Sequence, residues 1–254
     1  MFLILALVVA GVAALSHTAP FPFLLEAFRP ARSVWRIPQA AGAQNIYLTF
    51  DDGPNLAWTP QVLDALRDER ARATFFLIDE HITPETEWVV RRIAAEGHAI
   101  GLHSGSRKPV VMSPEALAAR LQRNADRVAA ITGREPCRLF RPHAGWRSAT
   151  MYDALRRIDY QLAGWSWGMW DWSWWRTPTP VAVARRLERK ASPGDVIVIH
   201  DGHHKDPRKD RSHAGGAVRL LVPALRARGY SFVPICGRRD GNADAGLAVG
   251  DFVP

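Results

Sequence analysis

Two carboxylates stand side by side at Asp51-Asp52, followed at once by Gly53-Pro54. Adjacent carboxylates repel, and both stay ionised only where a cation or a shared proton relieves them. An Asp-Gly-Pro turn needs one aspartate, not two, so the pair points to a functional site rather than a turn. Groups of the same kind recur down the chain at His103-Ser104, Arg141-Pro142-His143, Asp171 and His200-Asp201. A lone histidine is more often a satisfied structural residue than a ligand. Acids, histidines and an arginine that recur at matching points of successive elements are hard to explain as packing. They suit a polar site that activates water and moves protons.

Such residues must be carried to one place. Apolar runs at 45–50, 73–78, 99–103, 139–143, 160–167, 195–200 and 230–235 read as seven strands. Between them, Thr59-Pro60, Thr83-Pro84, Ser113-Pro114 and Thr179-Pro180 each predict a helix start, with a hydroxyl cap and proline in the first turn. Further helices are predicted over 149–158 and 216–228, and Gly97, Gly133 and Gly229 stop helices. Strands alternating with helices argue for a parallel α/β sheet. An open doubly wound sheet and a barrel both fit this pattern. Either places functional residues at the C-terminal strand ends, where Asp51, Asp52, His103, Arg141 and His200 fall.

On these residues the sequence resembles the polysaccharide deacetylases of carbohydrate esterase family four, which share a domain with chitooligosaccharide deacetylase. The resemblance covers roughly residues 44–236. Thr49-Phe50-Asp51-Asp52-Gly53-Pro54 matches the family's first motif in full. The stretch Gly97 to Ser104 resembles the approach to the second motif. Arg141-Pro142, Asp171-Trp172 and Ile199-His200-Asp201 resemble the third, fourth and fifth. The resemblance implies a single-domain, distorted (β/α)7 barrel of parallel strands and a hydrolase that removes an N-acyl group, usually acetyl, from an amino sugar in a polysaccharide or peptidoglycan. It implies roles as well: Asp51 as general base, Asp52 and His103 as ligands of a divalent metal, usually zinc, and Arg141 as the charge that keeps Asp51 ionised. His200 becomes the general acid for the leaving amine, with Asp171 behind it, and Trp172 and Pro142 contribute to the substrate groove.

One position departs from the family pattern. Its second motif carries another histidine four residues after the first, and here that residue is Arg107. A guanidinium neither deprotonates nor binds a metal, whereas a catalytic zinc normally takes three protein ligands. A substitute could come from His143, or from His203, His204 or His213. Otherwise the metal is weakly held, or absent, with Arg107 binding a phosphate or an oxyanion. The substituted or incomplete metal site ranks first, because Asp51, Asp52, His103 and His200 are all retained.

The rest of the chain bounds the setting. Six of ten tryptophans lie between Trp165 and Trp175. Trp165 and Trp167 are expected in the core, while Trp170, Trp172, Trp174 and Trp175 could offer faces to sugar rings or lipid. Residues 1–25 are predicted to be an apolar signal or anchor, 26–43 a linker, 44–236 the catalytic domain, and 237–254 a loose tail. The apolar run of residues 2–15 is short for a membrane span and matches the apolar part of a signal peptide. Export or membrane anchoring, on the periplasmic or extracellular side, is therefore expected. Net charge is +8, but the basic residues are scattered over predicted helix faces and no nucleic-acid-binding motif accompanies them. A carbohydrate or glycolipid is the expected partner, with membrane association. Two readings compete with polysaccharide deacetylation: a deformylase or deacetylase of a lipid-linked sugar, and a sugar-binding protein without turnover. The intact acid pair and His200 oppose the second, because binding alone needs neither. Cys137 and Cys236 have no metal or redox spacing and read as buried apolar residues or one bridge.

Overall fold

The computed structural model describes residues 2–15, 33–168, 171 and 178–236. Its elements are α1 (Phe2–Leu15), β1 (Ser33–Val34), β2 (Asn45–Gly53), α2 (Thr59–Asp68), β3 (Thr74–Ile78), α3 (Glu87–Ala95), β4 (Ala99–His103) and α4 (Pro114–Thr132). There follow β5 (Leu139–Arg141), α5 (Ala149–Arg157), β6 (Gln161–Ala163), β7 (Trp167–Gly168), α6 (Pro180–Lys190), β8 (Val196–His200), α7 (Ser212–Arg226) and β9 (Ser231–Phe232). The sheet runs β1-β6-β5-β4-β3-β2-β8-β7, with β9 beside β2, and its paired strands are parallel. It curls into a distorted barrel wrapped by helices.

Strand period two sorts the residues. On β2, Ile46, Leu48 and Phe50 pack outward against Val62, Leu66, Val218 and Leu221 of the helices. Tyr47 points inward with Phe76, Leu139, Val196 and Val198, and so do Thr49 and Asp51, which meet Arg141. Register carries this inward row around the barrel: Asp51 lies beside His200, Ile78 beside His103, and His103 beside Arg141. The interior is tight. A Cβ at Gly101 would lie 2.5 Å from the Phe76 ring, the same ring that lies 3.9 Å beneath the Arg141 guanidinium.

Several boundaries differ from the sequence reading. The strand expected over 160–167 is two strands: β6 pairs β1 and β5, whereas β7 pairs β8. Between them the chain turns at Gly164, where a Cβ would fall 2.0 Å from the Trp35 ring. Residues assigned to a linker do structural work. Ser33–Val34 pairs β6, and Arg36 bridges Asp195 on the other side. Short edge segments of this kind carry too few residues for a strand pattern to register, so nine strands form among the described residues where seven are expected.

The Ser/Thr-Pro starts are mixed. Ser113 and Thr179 cap α4 and α6 by accepting from the Ala116 and Ala182 amides. Thr83-Pro84 instead opens a turn, and α3 begins later, at Glu87. The Thr59 side chain is drawn away from capping, accepting from the Asn55 amide and donating to Asp201. Helix α7 starts at Ser212, ahead of the expected residue 216. The 14-residue α1 is apolar throughout, and among the described residues no helix is long and apolar enough to cross a membrane. The predicted tail, residues 237–254, lies outside the described residues.

Cys137, just before β5, and Cys236, after β9, form a disulfide with a sequence separation of 99. Restricting an unfolded chain over such a loop is worth about 2–5 kcal/mol. Cys137→Ser is therefore expected to lower the urea midpoint by that equivalent. Wild type in reductant should match the variant, and equal midpoints with and without the bridge would contradict this.

Candidate active site

The first half of the site is a carboxylate with its counter-charge. Asp51 ends the inward row of β2, and its Oδ1 accepts from Arg141 Nη1 at 2.6 Å. Arg141 is fully buried. It also donates to Thr49 Oγ1 at 2.8 Å and to the Gly164 carbonyl at 2.7 Å. Burial favours the neutral guanidine, but the Asp51 charge works against that. The net effect on Arg141 is downward, and the pair sits at the barrel mouth.

Asp52 takes a different backbone path, with φ of +69°. A non-glycine residue in that region is strained by about 1–3 kcal/mol, and here the twist separates its carboxylate from its neighbour's. Two close approaches hold the turn. His81 Nδ1 lies 3.1 Å from the Asp52 carbonyl, and a Cβ at Gly202 would fall 1.9 Å from the same oxygen. The Asp52 carboxylate lies 3.2 Å from His103 Nε2. Burial opposes its ionisation, yet the His103 hydrogen bond and the potentials of His103, His200 and His143 hold its carboxyl well below the usual range.

His103 Nδ1 lies 2.7 Å from the Arg141 carbonyl. With Nδ1 donating there, a metal bound beside Asp52 would take the Nε2 lone pair in place of the hydrogen bond, the arrangement common to metal-ligating histidines. A third group completes the set. His143 comes from the turn after β5, where Ala144 adopts a φ of +50° and the His143 amide donates to Ser104 Oγ at 2.9 Å. One donor atom from each of Asp52, His103 and His143 lies within 4.8 Å of the others. Burial first, then the His103 and His204 charges, push His143 down to about 4, so it is neutral and able to ligate. Among the described residues no Lys or Arg pairs with the buried Asp52 carboxylate, whose ion-pair neighbour is His103. One carboxylate and two imidazoles make a donor set suited to a divalent ion of the zinc type, so the residues fit the metal that the sequence implies.

The second half is a histidine–carboxylate pair. His200 Nδ1 is 3.0 Å from Asp171 Oδ1, and the His200 amide donates to Asp171 Oδ2 at 2.5 Å. His213 Nε2 approaches the same oxygen at 3.5 Å. Burial works against an imidazolium, but the Asp171 charge and hydrogen bond, with Asp52 and Asp51, raise His200 to about 9. Burial also resists the Asp171 carboxylate, and His200 overcomes it, so Asp171 stays far below the usual carboxylate range. Asp201, after His200, is a buried neighbour; burial pushes it up to about 7 despite the Thr59 hydrogen bond.

The structure thus brings Asp51, Asp52, His103, Arg141, Asp171 and His200 to one mouth. Pro142 is buried at the start of the turn that presents His143. Trp172, like Trp170, Trp174 and Trp175, lies outside the described residues. Trp165 is buried as expected, whereas Trp167 is only partly so. Arg107 takes no place in the donor set; it is exposed, with its guanidinium 4.7 Å from the Trp146 ring centroid. Ser104 was visible beside His103 but not as the anchor of His143. His81 and His213 carry no spacing signal, since their partners are distant in sequence.

Comparison with known proteins agrees with this geometry. Residues 39–163 match the sequence profile of the polysaccharide deacetylase family. The chain is 31% identical over 201 residues to a peptidoglycan-N-acetylglucosamine deacetylase of Bacillus cereus, covering 79% of this chain and 90% of that protein. It is 32% identical over 199 residues to a chitooligosaccharide deacetylase of Azorhizobium caulinodans, covering 75% and 92%. A family 4 acetyl xylan esterase of Clostridium thermocellum, solved with a cobalt ion, superposes with a TM-score of 0.67 at 27% identity, over 76% of this chain and 88% of that one. The chain belongs to the polysaccharide deacetylase family.

Proposed function

We propose that this chain is a metal-dependent hydrolase that removes N-acetyl groups from amino sugars in a polysaccharide of the peptidoglycan or chitin type. The observation that carries this reading is the meeting, at one barrel mouth, of the Asp51–Arg141 pair, the His200–Asp171 pair and the donor atoms of Asp52, His103 and His143. Zinc is the proposed ion, held by Asp52, His103 and His143. Such an ion supplies polarisation of the acyl carbonyl and acidifies the attacking water.

The protein's own groups do the proton work. Asp51, oriented by the Arg141 hydrogen bond, takes the proton from water as its oxygen bonds to the acyl carbon. Amine nitrogen is a poor leaving group and must be protonated as the C–N bond breaks. His200 gives it that proton from Nε2, because Nδ1 is committed to Asp171. The products are acetate and the free amino sugar. The disulfide supports an exported location, since such bonds persist in oxidising compartments.

The direct test is acetate release from N-acetylglucosamine oligomers and from peptidoglycan, with and without chelator. Release that chelator stops and zinc restores is expected. Chelator-insensitive release, or none from either material, would count against the assignment.

The acid pair adds a pH dependence. His200 is raised in the folded protein, to about 9, from roughly 6.5 when unfolded. Its contribution to stability is then complete below the lower value and fades as pH rises through the higher one. Metal-free protein should lose stability between about pH 6.5 and 9 by this route. The Asp171→Asn variant should lose much less over that window, and parallel melting curves for the two proteins would refute the coupling.

A further inference from the structure

We infer that Arg107, laid on the ring of Trp146 at the edge of the metal site, is a subsite for a negatively charged group, carboxylate or phosphate, on the saccharide. The inference rests on the proposed deacetylase reading and adds the charge of the substrate to it. Its grounds are geometric. Arg107 follows the His103 strand by four residues, and Trp146 follows His143 by three. The segments that follow the two histidine donors therefore deliver the cation and the ring beneath it, with a separation of 4.7 Å.

A guanidinium held over a ring by its charge leaves its N–H groups available as donors. Five donors in a rigid fork match a carboxylate or a phosphate oxygen pair. Among the described residues no carboxylate forms an ion pair with Arg107, although other arginines have them: Arg92 with Asp64 and Glu96, Arg120 with Glu80, Arg141 with Asp51. Cation–π contact at an exposed site is worth only about 0.5–1 kcal/mol. That is enough to orient the side chain without consuming its hydrogen-bonding capacity. A fixed positive charge beside a cation site repels the cation, and an anion seated on Arg107 removes that penalty. The arrangement therefore favours a charged saccharide over a neutral one.

The test uses three probes: a neutral N-acetylglucosamine tetramer, the same tetramer bearing one carboxylate, and the same tetramer bearing one phosphate monoester. Binding to zinc-loaded full-length protein is measured by calorimetry, with acetate release followed in parallel. Wild type should bind at least one charged probe about tenfold more tightly than the neutral one. Arg107→Gln should erase that preference, and Arg107→Lys should keep part of it, having charge without the fork. Whichever charged probe shows the preference identifies the anion. No preference in wild type, or an undiminished one in Arg107→Gln, overturns the inference. Acetate release reports separately: charge-selective binding without release from any probe keeps the subsite and removes the deacetylase reading, while release without charge selectivity does the reverse.

Discussion

His143→Ala is expected to lose the bound divalent metal and, with it, deacetylation. Removing an outer-shell partner of a metal site already costs about 10–100-fold in affinity; removing one of three protein donors should cost at least the upper figure. His143 is only partly buried and sits in a turn, so the fold should persist, with an unchanged circular dichroism spectrum. Metal content after dialysis separates the two effects. The informative partner is the double variant His143→Ala with Arg107→His. It moves an imidazole to the position four residues after His103, where the family resemblance implies one. Recovery of metal by the double variant would show that the two positions are alternative routes to the same third donor. Wild-type metal affinity in His143→Ala would remove His143 from the set.

The second large effect belongs to Asp51→Asn. General-base catalysis by a placed carboxylate contributes about 10²–10⁴ in rate, and acetate release should fall by that factor while metal content stays at the wild-type level. There is also a stability cost. The Arg141 guanidinium is completely buried, 2.6 Å from the Asp51 carboxylate, and breaking a buried ion pair from one side costs about 3–5 kcal/mol. The asparagine oxygen can still accept from Arg141, as can Thr49 Oγ1 and the Gly164 carbonyl, so the loss should fall below that range. Arg141→Met strands the carboxylate instead and should reduce turnover as well as stability. A turnover in Asp51→Asn within tenfold of wild type would mean that another group takes the proton.

Much of this site was legible in the chain because its carriers are regular. Alternation along β2 and β8 puts Asp51 and His200 on the inner face, and short parallel strands bring their ends level. The adjacent aspartates, the Arg141-Pro142 pair and the His200-Asp201 pair needed no tertiary information to be noticed. What could not be read depends on contacts between distant segments. His143 stood among four histidines with equal claims until the turn at Ala144 aimed it at Asp52 and His103. The split of one expected strand at Gly164 follows from the Trp35 ring and the Arg141 hydrogen bond, neither of which leaves a mark on local pattern. Thr59 resembles a helix cap by position and serves Asp201 by contact, since a buried carboxylate competes for the hydroxyl more strongly than a helix amide does.

The disulfide has a consequence for proteolytic survival. It ties residues 137 and 236 together, so that Arg141, His143, Asp171 and His200 all lie within one covalently closed loop. A single protease cut anywhere inside that loop leaves two pieces still joined, and the joined ends enter the barrel beside β4 and β3: the Cys137 amide donates to the Ile100 carbonyl, and the Ile235 amide to Thr49's neighbour across the strand, Thr74, at Oγ1. A nicked molecule can thus keep Asp51, Asp52, His103, His143 and His200 on one connected scaffold, migrating as a single species until reductant separates the halves.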